Sequence, residues 1–476
     1  MYCQLEALRH CLPPSVGRIL EELPETLDGT YERVLKEINK ANREHARRLL
    51  QCLTVALRPL SVKELAEVLA IDFDAPIHGG IPQSNPNWRW NYQQQAVLST
   101  CSSLIAIVDD GNYQVVQFSH FSVKEFLTSN RLAHSSADIA CYHILLEPAH
   151  TTLAQACLGV LLRLDDRVNK DNPYDIPLLK YAARYWIDHA RFETVSSRIR
   201  DAMEYFLDAD KPHWTAWCQV QSIDVWWETF SPDEWVNDAF PLYFASLGGF
   251  YDLAELLVGK HPEHINARGG QLVTPLVAAL YRNHFQVAEL LHRHGADVNV
   301  RGYRGHTPLR AACEFEALDI VQWLLDHRAD VNTQFISFWT PLHTAAWYGS
   351  LQIFRMLIEH NANVHLCDKL GDFPLHRAAT SCNLDGHLET MQLLLDHGAD
   401  PNVRDDNGST PLHRSSWWGG FDFQLGEGTV EGTRLLLKYG AIIDAEDNEG
   451  RTPLQLALEH GRDDIATCLK EHGATR

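Results

Sequence analysis

Apolar residues in the second half of the chain recur every three or four positions, in short stretches separated by polar turns. A typical unit, residues 305–332, carries them in two groups: Leu309, Ala311 and Ala312, then Leu318, Ile320, Val321, Leu324 and Leu325. This spacing predicts two short helices per unit, each with one apolar face. Because helices this short cannot bury that face alone, consecutive units are expected to stack.

The unit repeats at a fixed period. The prolines at 275, 308, 341 and 374 are each 33 residues apart, and most follow a threonine and precede a leucine. Threonine suits a helix N-cap, and proline suits the first helical position, where an N–H is not needed. The spacing predicts six repeats from 268 to 476, preceded by a degenerate capping repeat at 237–267. Two repeats are longer, with insertions near Ser381–Asp385 and Phe421–Thr429.

This pattern resembles the ankyrin repeat. The resemblance rests on the Thr-Pro-Leu-His phrases at 340–343 and 410–413, the paired alanines at 345–346 and 378–379, and the Gly-Ala-Asp-x-Asn turns. It implies that the histidine of the phrase ties neighbouring repeats together by hydrogen bonds. The residues that match are His343, His376 and His413. Three others do not match, so looser junctions are expected at Val277, Arg310 and Gln455.

The first third of the chain predicts helices followed by a hairpin. Apolar positions predict a helix over 23–39, a second helix ending near Pro59, and a third over Val62–Asp74 opened by a capping box at Ser61. A loop is expected at 77–92. Strands are predicted at 104–108 and 113–119 around an Asp-Asp-Gly-Asn turn, and a second capping box is predicted at Ser122. This order is typical of a winged-helix domain.

The spacing of apolar positions in residues 136–236 predicts a helical connector. The expected helices are Ile139–Leu146, Leu153–Leu164, Leu178–Ala190 and Ile199–Leu207. Five tryptophans crowd its end, and we expect them to pack the connector against the first repeat: Trp214, Trp217, Trp226, Trp227 and Trp235. The predicted fold is therefore mainly α: a winged-helix domain with a small β-hairpin (1–135), a helical connector (136–236) and an ankyrin solenoid (237–476).

Phrases in the first half resemble the segment that follows the NACHT nucleotide-binding domain in fungal NLR-like proteins of the STAND class. They lie at 23–27, 58–61 and 120–127, and the connector phrase at 177–190 is also similar. The resemblance implies a place in signal transduction, in self/non-self recognition and programmed cell death. It also implies a nucleotide switch, but no G-x-x-x-x-G-K-[ST] loop is present to cradle phosphates. The chain is thus expected to be the back half of such a protein, either naturally truncated or lacking upstream exons.

The net charge of −21 disfavours nucleic acid and anionic membranes, because both need a basic face. The third helix carries Glu64 and Glu67, which argues further against DNA binding. Eleven scattered cysteines, without a paired motif or a signal peptide, indicate reduced thiols and a cytoplasmic location, with the nucleus also possible. No apolar run reaches the ~18 residues that a membrane helix needs.

Candidate chemistry is sparse. The densest histidine groups, at 261–264 and 292–294, have no cysteine or carboxylate partner at ligand spacing, so no metal site is predicted. No nucleophile motif is present, and neither a catalytic residue nor a cofactor is expected.

Protein binding is the predicted activity. In the ankyrin pattern, two variable residues before the inter-helix glycine face the concave groove, and here they are Tyr281, Arg282, Glu314, Phe315, Trp347, Tyr348, Trp417 and Trp418. Hairpin tips add Tyr303, Phe338 and Trp339. Aromatic residues and arginine anchor protein interfaces, although the same side chains could instead pack onto the next repeat.

The function predicted from these features is a non-catalytic interaction module in the sensor half of an NLR-like protein. Two alternatives stay open. The chain could be part of an oligomerising NTPase whose ATPase domain lies upstream, and self-association is expected only in that case. It could also be a stand-alone ankyrin adaptor.

Overall fold

A computed structural model of the protein describes most of the chain. The described residues are 27–77, 81–85, 88, 97, 100–101, 103–111, 113–164, 176–208, 211, 213–214, 216–217, 240–269, 273–302, 307–334, 338–380, 386–416 and 430–475. The chain forms two compact units, Met1–Leu290 and Leu291–Arg476. The predicted domain boundaries at 135 and 236 stay predictions.

The first unit begins with the helices and small sheet of a winged-helix domain. Its helices are Leu27–Glu37, Lys40–Asn42 (3-10), Arg43–Val55, Val62–Leu69 and Phe121–Leu127. Strands β1 (Leu60–Ser61), β4 (Ile105–Asp109) and β5 (Gln114–Phe118) form an antiparallel sheet in the order β1–β5–β4. Strands β2 (Ile71–Ile77) and β3 (Ile81–Ser84) form a separate antiparallel pair. The predicted hairpin is confirmed by the pairing of β4 with β5.

Three local predictions in this domain were wrong. The helix expected to run to Asp74 ends at Leu69, and the following segment is strand β2, paired with β3 where a loop was expected. The helix at 121–127 is capped by His120, whose Nδ1 accepts from the Ser122 N–H, so Ser122 lies inside the helix. The capping box at Ser61 is confirmed, because Ser61 and Glu64 exchange both hydrogen bonds.

The connector is helical, with the bounds Asn130–Ala133, Ala137–Ala140, Leu146–Leu161, Leu179–Ala190, Val195–Arg198 and Arg200–Phe206. The predicted helix Ile139–Leu146 is wrong, because the chain leaves helical conformation after Ala140 and a new helix begins at Leu146. Trp214 and Trp217 are buried and contact Phe244 at ring-centroid distances of 5.4 and 4.7 Å. The expected packing is confirmed for these two; the other three tryptophans lie outside the described residues.

Within the described residues the C-terminal region consists of seven helix pairs. Their bounds are Pro241–Gly248 and Tyr251–Lys260, Pro275–Tyr281 and Phe285–Arg293, Pro308–Glu314 and Leu318–Asp326, Pro341–Tyr348 and Leu351–Glu359, Pro374–Thr380 and His387–Asp396, Pro411–Ser416 and Val430–Lys438, Pro453–Glu459 and Asp463–Glu471. A short 3-10 helix, Pro262–His264, follows the first pair. Proline stands at the start of each first helix, as predicted. Both insertions lie outside the described residues.

The histidines of the two Thr-Pro-Leu-His phrases, and of the related Phe-Pro-Leu-His phrase at 373–376, join successive repeats of the second unit. The His343 Nδ1 accepts the Thr340 backbone N–H (3.2 Å), and its Nε2 donates to the carbonyl oxygen of Asp372 in the next repeat (3.0 Å). His376 and His413 make the same bond to the carbonyl oxygens of Ser409 (3.0 Å) and Arg451 (3.1 Å). These three bonds, here called the histidine ties, confirm the expectation from the ankyrin resemblance.

A second ladder runs through the turns that close the repeats. The side-chain oxygens of Asn299, Asn332 and Asn402 each accept a backbone N–H from the following turn, at 2.7–2.8 Å. The ties join in succession the repeats that begin at Pro341, Pro374, Pro411 and Pro453, whereas the repeat that begins at Pro308 is fixed to the next one by the Asn332 turn bond instead. A frame fixed in this way holds the exposed side chains of adjacent repeats in constant register.

Candidate protein-interaction surface

The residues predicted to face a partner differ in exposure. Phe315 (49% exposed), Tyr348 (42%) and Phe338 (50%) present large apolar side chains to solvent. The others that the structure describes are half-buried: Tyr281, Arg282, Glu314, Trp339 and Trp347. The predicted residues Tyr303, Trp417 and Trp418 lie outside the described residues.

Phe315 and Tyr348 occupy equivalent ends of the first helices in two successive repeats. The Ser350 hydroxyl donates to Glu316 across these repeats (2.5 Å), which holds the two helix ends side by side. Burial and the Glu314 carboxylate together raise the pKa of Tyr348. We call Glu314, Phe315, Glu316 and Tyr348 the aromatic–acidic edge.

Trp339 and Trp347 are anchored in the protein itself. The Arg377 guanidinium lies 4.8 Å from the Trp339 ring centroid and 5.8 Å from that of Trp347. The Trp339 indole N–H donates to Asp368 (2.9 Å), and the Trp347 carbonyl oxygen bonds His387 (3.0 Å). These contacts support the packing alternative for the two tryptophans and leave the exposed Phe338 and Tyr348 as the better contact residues.

Arg377 belongs to a buried chain of alternating charges. It pairs with Asp368 and with Asp372 (2.8 Å), and Arg414 bridges Asp372 (2.9 Å) to Asp405 (2.6 Å). We call these five residues the charge chain. The three carboxylates are almost completely buried, so each depends on an arginine for neutralisation.

The first and the middle carboxylate of the charge chain, Asp368 and Asp372, differ in electrostatics. Burial acts to raise the pKa of Asp368, but the Arg377 guanidinium and two backbone N–H groups outweigh it and hold that pKa below its usual value. At Asp372 burial dominates over both arginines, and the pKa is raised. Asp372, although it contacts both arginines, is therefore easier to protonate than an ordinary aspartate.

The charge chain is not arranged to hold a metal ion. The ligand atoms of Asp372, His376 and Asp405 lie within 4.8 Å of one another. However, His376 already uses its Nδ1 for the Phe373 N–H (3.1 Å) and its Nε2 in a histidine tie, and both carboxylates are paired with arginine. The ligand atoms of all three residues are therefore already used in bonds that stabilise the fold.

The third helix does not present the acidic face that was expected to repel DNA. Glu64 and Glu67 are buried rather than exposed on the third helix, because they pair with Arg58 (2.5 Å) and Arg163 (2.8 Å). These carboxylates fasten the helix into the domain and do not form an acidic face. The expectation of no nucleic-acid binding then rests on the net charge alone.

A buried polar cluster in the first unit was missed from sequence. The Tyr181 hydroxyl bonds His189 Nε2 (2.8 Å), and His189 Nδ1 bonds His150 Nδ1 (2.8 Å). The Leu57 N–H, at the end of the helix Arg43–Val55, donates to the same hydroxyl (3.1 Å). Burial, and to a lesser extent His150, lowers the pKa of His189 to about 3, so this imidazole is neutral. The cluster binds the connector to the winged-helix domain.

Among the described helices, none combines the length and apolar character required to cross a bilayer.

Two family descriptions match the chain. Ankyrin repeats match in three copies, over residues 238–335, 342–425 and 386–475, and the winged-helix domain of GPI inositol-deacylase matches residues 31–140. With the helix pairs and the small sheet described above, these matches define the class of protein: a mostly helical chain with an N-terminal winged-helix domain and C-terminal ankyrin repeats.

Two fungal proteins are similar to this chain. An azaphilone pigments biosynthesis cluster protein L of Monascus ruber is 30% identical over 298 residues, which are 57% of this chain and 60% of the relative. The vegetative incompatibility protein HET-E-1 of Podospora anserina is 25% identical over 199 residues, 37% of this chain and 13% of the relative. The chain thus spans less than two thirds of either relative.

Proposed function

We propose that this chain is a non-catalytic recognition module that binds another protein through the aromatic–acidic edge and Phe338. The observation that carries the proposal is the exposure of three large aromatic side chains on two successive repeats, which the Asn332–Asn363 turn bond and the Ser350–Glu316 bond hold together. Ankyrin repeats typically bind proteins, and exposed aromatic residues on a rigid frame anchor interfaces with little loss of conformational entropy.

The proposed partner presents apolar side chains flanked by lysine or arginine. Phe315 and Tyr348 offer apolar area, while Glu314 and Glu316 place two carboxylates on the same edge. The net charge of −21 would steer a basic partner towards the chain and repel an acidic one. Association is therefore expected to slow as the salt concentration rises.

The test compares partner capture by the wild-type chain and by the double variant Phe315→Ser/Tyr348→Ser. Loss of a hot-spot aromatic residue costs about 2 kcal/mol or more, so the double variant should lose the captured partner. Tyr113→Ser is the matched control, since Tyr113 is an exposed aromatic residue (66%) on the winged-helix hairpin. Equal capture by the wild type and both variants, each with an unchanged circular dichroism spectrum, would refute the proposed surface.

We also propose that the module is the sensor half of an NLR-like signalling protein acting in the cytoplasm. The similarity to HET-E-1 and the resemblance at 23–27, 58–61 and 120–127 support this role. In this proposal a nucleotide-binding domain lies upstream and drives self-association, while the ankyrin repeats select the trigger. The enzyme alternative, an oligomerising NTPase, shares that upstream domain.

Full-length cDNA sequencing tests the signalling proposal. We expect the open reading frame to extend upstream into a G-x-x-x-x-G-K-[ST] loop, since the family switches on nucleotide phosphates. A transcript whose reading frame begins at Met1 would instead favour the stand-alone ankyrin adaptor, with a constitutive partner and no switching.

A further inference from the structure

A compact group of possible metal ligands lies after the second helix of the first repeat. That helix, Tyr251–Lys260, is followed by His261 and by the 3-10 turn Pro262–His264. The turn folds back so that Glu263 Oε1 lies 3.3 Å from His261 Nδ1 and 3.9 Å from His264 Nε2. One ligand atom from each residue lies within 4.8 Å of the other two. The expectation that these histidines have no carboxylate partner was therefore wrong.

The turn and Phe240 hold His264 in place before any ion binds, while His261 and Glu263 have exposed side chains that can adjust. Pro262 restricts the backbone of the turn, and the imidazoles of His261 and His264 stack at a centroid distance of 5.1 Å. The ring of His264 also stacks on Phe240, 4.0 Å away at the start of the same repeat. Preorganised ligands lose little entropy on binding.

We propose that His261, Glu263 and His264 bind one Zn²⁺ ion. Imidazole nitrogen and carboxylate oxygen are ordinary zinc ligands, and two histidines with one glutamate leave the fourth tetrahedral position to water. This ligand set favours zinc over calcium or magnesium, which prefer all-oxygen coordination. The site goes beyond protein recognition, because it adds an ion to the repeat that caps the array.

The geometry fits after a small adjustment. Bonds of about 2.1 Å at tetrahedral angles place ligand atoms about 3.4 Å apart, whereas the present ones are within 4.8 Å. The adjustment combines a movement of about 1 Å with a rotation of the His261 ring out of its stack on His264, because two nearly parallel rings do not point their nitrogens at one ion. It falls on Glu263 and His261, whose side chains are 63% and 46% exposed. His264 stays fixed by its stacking on Phe240.

Binding would stabilise the first repeat. The ion would fix the end of the helix to the turn that follows it, next to Lys260, which pairs with Glu204 of the connector (2.5 Å). A ligand that binds only the folded state raises its stability by mass action, so the melting temperature of the full chain should rise with the Zn²⁺ concentration.

Isothermal titration with ZnCl₂ tests the site on the full chain. Because the exposed thiols of Cys141 and Cys367 would compete, both are replaced by serine in the reference protein. The double variant His261→Gln/Glu263→Gln in that background should bind one equivalent fewer. The single variant Glu263→Gln should weaken that equivalent by at least about tenfold, the cost of losing even an outer-shell partner. His294→Gln, which changes an exposed histidine elsewhere, should leave the binding unchanged.

Co²⁺ as a spectroscopic probe gives an independent readout. Four-coordinate Co²⁺ with nitrogen and oxygen ligands produces visible absorption without the near-ultraviolet bands of thiolate, and this absorption should disappear in the double variant. Equal Zn²⁺ stoichiometry and equal Co²⁺ spectra in the reference protein and the double variant would overturn the proposal. Partner capture tests the recognition surface separately, since Glu263 lies outside the aromatic–acidic edge.

Discussion

Acidification from pH 6.5 to pH 4 is expected to destabilise the second compact unit by several kcal/mol. Burial, outweighing the backbone bonds of the histidine ties, lowers the pKa of His343 and of His376 from 6.5 to about 4, and it also lowers the pKa of His413. Between pH 6.5 and pH 4 these histidines are protonated in the unfolded chain but stay neutral in the folded one, so protonation favours unfolding. The contribution of these histidines to the free energy of unfolding is thus present in full above pH 6.5. It is lost as the pH falls towards 4, by about 3 kcal/mol for each of His343 and His376.

The hydrogen bonds of the histidine tie explain why a lower pH destabilises the unit. Nδ1 must stay unprotonated to accept a backbone N–H, while Nε2 donates to the next repeat, so only the neutral imidazole makes both bonds. Urea denaturation monitored by circular dichroism at pH 7.0 and pH 4.5 measures the loss.

The control is the triple variant His343→Gln/His376→Gln/His413→Gln. Glutamine fills this position in the last repeat, where Gln455 accepts the Thr452 N–H (2.9 Å). The variant should be less stable at pH 7 but should lose much less stability between pH 7.0 and pH 4.5. An equal loss in the wild type and the variant would assign the pH dependence to other groups.

Replacing Arg377 by methionine is expected to destabilise the second unit by about 3–5 kcal/mol, the cost of leaving a buried charge without its partner. The substitution keeps an unbranched, flexible side chain but removes the positive charge from Asp368 and Asp372. Because Asp372 retains Arg414, the larger part of the loss should fall on Asp368. The cation–π contacts with Trp339 and Trp347 are lost as well.

Arg451→Met is the matched control. Arg451 also pairs with a buried aspartate, Asp447 (3.0 Å), but its side chain is 38% exposed against 15% for Arg377, so water can replace much of its contribution. Arg377→Met should therefore cost clearly more in chemical denaturation than Arg451→Met. Similar losses would mean that the charge chain is no stronger than a surface ion pair.

The repeats could be predicted because each is specified locally. Thr340, Pro341 and His343 lie within four positions, so one phrase determines the cap, the helix start and the tie. The segment 71–84 was misjudged, its start as the end of the third helix and its end as a loop, because Asp72, Asp74 and Pro76 interrupt the apolar pattern of a strand. Its pairing is stabilised by tertiary context that a single sequence window does not contain.

The candidate surface could be predicted only in part. Periodicity finds the variable pairs, including Phe315 and Tyr348, but it does not distinguish an exposed aromatic residue from one covered by the next repeat. Trp347 contacts Arg377, which lies 30 positions later in the sequence, and that contact depends on how the repeats stack. One signal for the ion pairs of Arg377 was available: an arginine directly follows the phrase histidine at 377 and 414, and in the same two phrases an aspartate lies six residues before the proline, at 368 and 405.

The histidine ties also bear on how such a chain can change over generations. Each tie ends on a backbone carbonyl oxygen, which every residue possesses, rather than on a particular side chain. A repeat carrying the phrase can therefore follow or precede any other without a compensating substitution at the junction. Unequal crossing-over between copies would add or remove whole repeats at little cost in folding, and the binding surface could lengthen, shorten or be reshuffled while the joints stay the same.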